Sequence, residues 1–338
     1  MSKDQHEIEV QRRRARLHIH QRQKSLFSAR LIRDFLLALA LVFILFKLYT
    51  HFVVVPNFSW QQQMMMTAAR LLFIFAAPTL LIAFLYSDEF NEHMRCSRPL
   101  ATRLLLSLGA GATLAWLSSL AQLLWQQILL FLNPQYRPAL KTATVSLIGA
   151  WEKEPLLALL GALLQIVLPT VILLFFHIYV LTPSLNSLYK TERLAALIGT
   201  LLLAVLYSDR HEFLLSILVF YFLTRLSQRS KSPMEPTASL FACLTTWQIL
   251  LPLFINDRLY KIPQDVVKLN FSDLLTPFML FLLACASFMP FWLSLSNQAT
   301  IVRERQVGKD LHSADQRRQL QLLTTIVLGI CLALYIIF

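Results

Sequence analysis

The stretch PLLALLGALLQIVLPTVILLFFHIYVLT, positions 155–182, determines the fold class of this chain. It contains no Asp, Glu, Lys or Arg, and it exceeds the about 20 apolar residues that a helix needs to cross a bilayer. Pro169 lies in the middle of the run, where it removes a backbone donor and predicts a kink. The stretch therefore predicts a long, kinked transmembrane helix.

Eight further apolar runs flank this stretch on both sides. They lie at 35–55, 67–86, 104–126, 194–207, 213–225, 237–255, 274–296 and 319–338. The run that begins at 104 stays apolar as far as Leu132, which predicts a tilted helix or an added interfacial segment. The short runs 194–207 and 213–225 fit either two short helices that meet at one membrane face or one bent re-entrant pair. We predict an all-α, polytopic transmembrane bundle of eight or nine spans.

Composition agrees with this class. Hydrophobic residues make up 56% of the chain, charged residues only 15%, and the mean hydropathy is +0.56. A soluble domain keeps about a quarter of its residues charged, so these values exclude a soluble enzyme and a disordered protein. The first 33 residues are polar and basic, and the run after them has no small-residue cleavage site, so we expect it to remain as an anchor. The predicted domains are a basic cytoplasmic arm at 1–33 and a transmembrane domain at 34–338.

The distribution of positive charge predicts the orientation. The arm and every second connecting segment carry 22 of the 31 Lys and Arg residues, whereas the opposite segments carry seven. By the positive-inside rule the N-terminus is cytoplasmic, and nine spans would place Phe338 outside. The corresponding membrane is a bacterial inner membrane or an equivalent internal membrane such as the thylakoid.

The basic residues of the predicted cytoplasmic face are the candidate contacts to lipid headgroups or to a docking partner. They are Arg12, Arg13, Arg14 and Arg16 in the arm, and Arg303 and Arg305 between the last two spans. Neither aromatic interleaving nor a recognisable module accompanies the charge, so nucleic acid is not predicted as a partner. We expect membrane lipids and other integral membrane proteins instead.

Acidic residues are missing from all nine predicted spans. Cation-coupled carriers usually need a carboxylate within the membrane, and intramembrane hydrolases need a polar constellation to activate water or a nucleophile. The four cysteines have no paired spacing, and we predict neither a catalytic residue nor a metal ligand. The densest polar cluster between spans is the turn Asp209, Arg210, His211 and Glu212, which fits a solvated turn or a His–Glu general-base site without a third partner.

The spans also contain basic side chains, among them those of Lys47, Arg70 and His177. Lys47 and Arg70 lie near span ends, from which long side chains can reach the interface or form an ion pair between subunits. His177 follows two phenylalanines and fits either a hydrogen-bonded structural histidine or a ligand for a pigment, haem or metal. No cofactor is predicted from these residues, although a bound lipid or hydrophobic pigment stays open.

The segment 155–245 resembles the CAAX-protease and bacteriocin-processing family of intramembrane glutamate proteases. An apolar helix ending FYFLTR is followed by the turn RSKSPMEP at 229–236, which is similar to the family's turn before its HxxxN signature. Spacing from this turn assigns the positions of the family's EExxxR, FxxxH and HxxxN signatures. They fall on Ile172, Leu173, His177, Leu203, Tyr207, Leu240 and Leu244.

The chemistry of these positions departs from the family, because a leucine cannot accept a proton. The resemblance therefore implies a non-catalytic member that keeps helix-binding surfaces. We expect a scaffold, assembly factor or accessory subunit for other membrane proteins. The alternatives are a transporter or channel component, which the short spans and the prolines favour, and a membrane protease with a divergent site at His211 and Glu212.

Overall fold

The computed structural model describes residues 28–53, 60–87, 101–132, 155–189, 191–207, 213–230, 232–251, 271–297 and 314–337. The secondary structure of this part of the chain is helical throughout, without a strand, and it divides into nine helices. They are α1 (Ala29–Val53), α2 (Trp60–Arg70, Leu71–Ala76 and Ala77–Leu85), α3 (Ala101–Leu132), α4 (Pro155–Ala162, Leu163–Val167, Leu168–Leu173, Leu174–Leu181 and Thr182–Leu188), α5 (Glu192–Tyr207), α6 (Phe213–Arg229), α7 (Met234–Thr245 and Thr246–Leu250), α8 (Phe271–Asn297) and α9 (Ala314–Ile337).

Each described helix coincides with one of the nine apolar runs, which confirms the all-α class and is consistent with an integral membrane protein. Within the described ranges, five stretches are long and apolar enough to cross a membrane: Met64–Leu85, Ala101–Trp125, Pro155–Leu188, Phe278–Leu295 and Asp315–Ile336. The two short helices α5 and α6 have 16 and 17 residues and pack against each other. At 1.5 Å per residue each extends about 25 Å, slightly less than the about 30 Å hydrocarbon core.

Four segments have the wider π-helical turn, and each ends two residues before a proline. The segments Leu71–Ala76, Leu163–Val167, Leu174–Leu181 and Thr246–Leu250 precede Pro78, Pro169, Pro183 and Pro252, the last of which lies outside the described residues. A proline cannot donate to the carbonyl four residues earlier, and its ring presses against that carbonyl. A wider turn before the proline relieves this clash, so the kink predicted at Pro169 takes the form of π-helical turns within α4.

Aromatic rings form the centre of the bundle where α1, α2 and α4 meet. Phe176 lies with its ring centroid 4.9 Å from Phe75 and 5.5 Å from Phe35, and all three side chains are buried. The Phe75–Phe176 pair is edge-to-face, a preferred geometry for aromatic pairs. This cluster fixes the depth of α4, and His177 follows it directly.

Helices α3 and α7 approach each other most closely at a glycine. A Cβ atom on Gly111 would overlap the carbonyl oxygen of Ser239, so only glycine allows this backbone contact. The Ser239 hydroxyl donates to the Ser107 carbonyl oxygen at 2.6 Å, and Arg103 pairs with Glu235 at 2.8 Å. In both pairs the α7 residue lies 132 positions after its α3 partner. The two helices therefore begin at the same level and run parallel.

Contacts between helix ends occur at two levels. At one level the start of α1 meets the end of α2, where the Tyr86 hydroxyl donates to Asp34 at 2.6 Å. At the other level the end of α1 meets the end of α9, where the Lys47 ammonium lies 5.6 Å from the Tyr335 ring centroid. Further contacts at or near helix ends join Arg103 with Glu235, Glu192 with Arg225, Asn186 with Gln228, and Leu188 with Gln321. Arg70, in the first half of α2, contacts the end of α5 at Tyr207.

Helix α8 lies at the periphery of the bundle. Only 11% of its apolar stretch is buried, compared with 50% for α3. It packs mainly along α3, where a Cβ on Gly109 would overlap the ring of Phe291. Most of its apolar side chains therefore point away from the protein.

Candidate functional site

One of the predicted site residues, His177, lies in the described part of the chain. The candidate arginines Arg12, Arg13, Arg14, Arg16, Arg303 and Arg305 lie outside it, as does the turn Asp209, Arg210, His211 and Glu212. Their roles stay predictions. The site is therefore built around His177.

His177 lies in the second π-helical segment of α4 and is 4% exposed. Its Nδ1 atom lies 3.3 Å from the Thr182 hydroxyl on the same helix, and its Nε2 atom lies 3.2 Å from the Thr224 hydroxyl on α6. Pro183 follows this π-helical segment and favours its wide turn. The geometry of this turn sets the direction of the imidazole.

The hydrogen bonds of the two threonine hydroxyls determine which ring nitrogen of His177 carries the proton. The Thr224 hydroxyl donates to the Phe220 carbonyl oxygen at 2.7 Å, so it is left to accept a hydrogen bond from Nε2–H of His177. In a neutral imidazole Nδ1 is then the acceptor, and the Thr182 hydroxyl can donate to it. Both ring nitrogens are satisfied in this way, which is what a buried polar group requires.

A small cavity of about 10 Å³ lies beside the imidazole. The lining residues are Leu173, Leu174, His177, Ile178, Phe220, Leu223, Pro236, Thr237 and Leu240. A volume of this size is about the minimum for a single water molecule. The cavity is too small for a pigment or a haem, and a metal at His177 would have to displace one of the two threonine hydroxyls.

Several positions mapped by the protease resemblance are close together. Leu173, His177 and Leu240 line this same cavity, from α4 and α7. Leu203 is fully buried, and the ring of Tyr207 packs edge-on against Phe220 at 5.5 Å. The lining of the cavity is apolar apart from His177 and Thr237, and both ring nitrogens of His177 lie within hydrogen-bond distance of threonine hydroxyls.

The sequence analysis missed a second polar feature, the buried ion pair between Arg103 and Glu235. The Arg103 side chain is 13% exposed and the Glu235 side chain 3%. The Ser232 hydroxyl accepts from the amide of Met234, the first residue of α7, at 3.3 Å, and Glu235 lies in the first turn of this helix. A carboxylate in a first helical turn is favoured by the helix dipole, and this local signal could have identified Glu235 but not its partner.

Arg70 also has a defined partner. Its Nη1 atom donates to the Tyr207 carbonyl oxygen at 2.9 Å and so satisfies one of the last carbonyls of α5. The sequence predicted that this side chain would reach the interface or form an ion pair between subunits, and did not identify this partner.

The chain matches no protein-family model, no curated protein and no solved structure. Within the described ranges no group of three or more His, Cys, Asp and Glu side chains is arranged to hold a metal ion. Function is therefore inferred from the residues themselves.

Proposed function

We propose that this chain is a non-catalytic integral membrane protein that acts as a scaffold, assembly factor or accessory subunit for other membrane proteins. The observation that carries the proposal is the outward face of the peripheral helices. The apolar stretches of α8 and α9 are 11% and 28% buried, the two lowest values among the five candidate spans. Such faces are available to lipid or to the helices of another protein.

The exposed face of α9 favours helix contacts. Thr325, Gly329 and Ala333 follow one another at four-residue spacing, and all three are exposed. A Cβ on Gly329 would meet no atom within 4 Å, so this glycine is not required by contacts inside the chain. Small residues at this spacing allow two membrane helices to approach closely.

The proposed topology has nine crossings with the N-terminus in the cytoplasm. Two contacts support an alternation of helix direction, because the start of α1 meets the end of α2 and the start of α5 meets the end of α6. Descent from the CAAX-protease family with loss of catalysis is part of the same proposal. It is supported by the meeting of Leu173, His177 and Leu240 at one cavity.

The transporter alternative has less support. The described cavity at His177 has room for about one water molecule, and its lining is mostly apolar. The protease alternative depends on His211 and Glu212, which lie outside the described residues. Retained cleavage of a membrane substrate by the double variant His211→Ala, Glu212→Ala would eliminate that site.

The proposal can be tested by photo-crosslinking in native membranes. A photoreactive amino acid is placed at Gly329, which faces outward, and as a control at Val327, which is 2% exposed on the same helix. We expect a discrete adduct with one integral membrane protein at position 329 and adducts within the chain at position 327. Adducts with lipid alone at 329, and likewise at the exposed α8 residue Met289, would contradict a scaffold function.

A further inference from the structure

Three arginines form a basic cluster where α5 and α6 meet at the level of the α1 start. Arg193 is exposed in the first turn of α5, while Arg225 and Arg229 lie one turn apart at the end of α6. Positions four apart share a helix face. The carboxylate of Glu192 lies 3.8 Å from Arg225 and is the acid of this group. Three positive charges therefore face one negative charge.

The cluster is held in place mainly by neutral groups. Arg225 is buried, and its Nη1 atom donates to the Gln228 side-chain oxygen at 2.7 Å. The Gln228 amide in turn donates to Asn186 at 2.9 Å and to the Glu192 carbonyl at 3.0 Å. This network positions the guanidinium, and because one carboxylate stands beside three arginines the described cluster keeps a net positive charge that favours an anion.

Arg229 carries charge that the described residues leave uncompensated. Within the described residues no carboxylate lies within salt-bridge distance of its guanidinium, which lies 5.2 Å from the Trp292 ring centroid on α8. Arg229 lies beyond the predicted span, and its pKa is lowered first by burial and next by the Arg225 charge. Arg193 acts in the same direction, whereas the Glu192 carboxylate opposes it. An anion bound among these groups would relieve the repulsion.

The surface next to the cluster indicates the source of the anion. Phe222 of α6 packs on Phe288 and Trp292 of α8, with ring centroids 5.2 and 5.5 Å apart. This seam of α6 and α8 leads away from Arg229 into the apolar region. Leu218 and Met289 border it and are exposed. A headgroup at the arginines would therefore continue into chains lying along an apolar seam.

We propose that Arg193, Arg225 and Arg229, with Trp292 beside them, form a binding site for the phosphate of an anionic phospholipid whose acyl chains lie along the seam of α6 and α8. Arginine guanidinium groups match phosphate oxygens in two-pronged geometry, and basic pockets between transmembrane helices bind acidic headgroups. Tryptophan is common at this headgroup level. The site is separate from the arginines that the sequence predicted for lipid contacts, and it does not depend on the proposed scaffold function.

Native mass spectrometry of the purified full chain tests the site. The protein is exchanged into equimolar phosphatidylglycerol and phosphatidylcholine with identical acyl chains, and the lipids retained are counted. We expect the wild type to retain phosphatidylglycerol preferentially. The variant Arg193→Gln, Arg229→Gln should lose about fivefold in this preference for each arginine. It leaves the buried Arg225 network intact, and the variant Arg225→Gln, Arg229→Gln serves as the stronger second test.

The matched control is Arg30→Gln, Arg318→Gln, which removes the same charge from two exposed arginines outside the cluster. We expect it to keep the wild-type preference, and thermal unfolding verifies that all variants are folded. Equal losses in control and cluster variants would overturn the site in favour of a bulk charge effect. Displacement of phosphatidylglycerol by excess inorganic phosphate at the cluster would overturn the lipid as the source and assign a free phosphate instead.

Discussion

Helices α4 and α8 both contain prolines, but they accommodate them differently. In α4, π-helical segments precede Pro169 and Pro183, whereas α8 is α-helical through Pro277 and Pro290. Helix α4 is packed on several neighbours and cannot bend freely, so the clash at proline is relieved by widening the turn. Helix α8 is largely exposed and can relieve the same clash by bending. Packing, rather than proline alone, therefore determines where π-helical turns form.

The largest difference in lost stability between the interior and the periphery of the bundle is expected when ion pairs are broken. Glu235→Gln should destabilise the protein by about 3–5 kcal/mol, because it removes the carboxylate partner of a buried guanidinium. The matched change Arg33→Gln removes one side of the Arg33–Asp34 pair, whose side chains are 56% and 33% exposed, and should cost at most about 1 kcal/mol. Thermal unfolding in detergent measures both. Similar costs would mean that Arg103 is as well solvated as Arg33.

Two glycines should respond with opposite signs. Gly111→Ala should destabilise by about 3 kcal/mol, since the obstacle is the Ser239 backbone carbonyl and overpacking has no cheap relief. Gly329→Ala should stabilise by up to about 1 kcal/mol through helix propensity, because its surroundings are open. The same unfolding assay distinguishes the two. Stabilisation by Gly111→Ala would show that α3 and α7 can separate without cost.

Proline substitutions in α4 and α8 test directly whether packing determines where π-helical turns form. Pro290→Ala should stabilise α8 by roughly 1.5 kcal/mol, about half the cost of an interior helical proline, because an exposed helix can straighten. Pro169→Ala should bring little or no gain, because the neighbours of α4 hold the wide turn. Unfolding temperatures of the two variants are compared with that of the wild type. Equal gains would mean that packing does not fix the π-helical segments.

The smallest effect on stability is expected at the membrane edge of the bundle. There the Tyr86 hydroxyl donates a hydrogen bond to Asp34, which directly precedes the first predicted span. The hydrogen bond from Tyr86 is the largest cause that lowers the Asp34 pKa below its usual 3.8. A lowered folded-state pKa contributes stability that is present above the unfolded value and lost as pH falls through the folded value. Tyr86→Phe should cost about 1 kcal/mol near neutral pH and flatten the stability profile below about pH 4. An unchanged profile would assign the acid sensitivity to other carboxylates.

The positions of the helices could be predicted from the sequence because long apolar runs leave few alternatives. Helix ends were less accurate, since apolar runs mark only the part of a helix that lies in lipid. Helix α1 begins at Ala29 and α9 at Ala314, roughly one and a half turns before the spans predicted from positions 35 and 319. Backbone hydrogen bonding continues through these polar residues, which an apolar pattern does not record.

The contacts of the site could not be predicted from local patterns. His177 was identified as a histidine with a structural or a ligand role, but its partner Thr224 lies 47 residues away. Arg103 and Glu235 are 132 residues apart. Tertiary packing decides such pairs, and a single sequence gives no measure of it. The π-helical segments were only partly predictable, because a following proline is a local signal but Pro277 and Pro290 of α8 have no such segment before them.

The parallel contact of α3 and α7 has a consequence for biosynthesis. A ribosome adds about 5–20 residues per second, so Glu235 emerges on the order of 10 s after Arg103. During that interval α3 is already synthesised, but it lacks both its carboxylate partner and the hydroxyl of Ser239 that bonds its Ser107 carbonyl. In the nascent chain, the face of α3 that will contact α7 must therefore stay accessible until α7 has been synthesised. A chain truncated before α7 should expose this face of α3 and be degraded by membrane quality control.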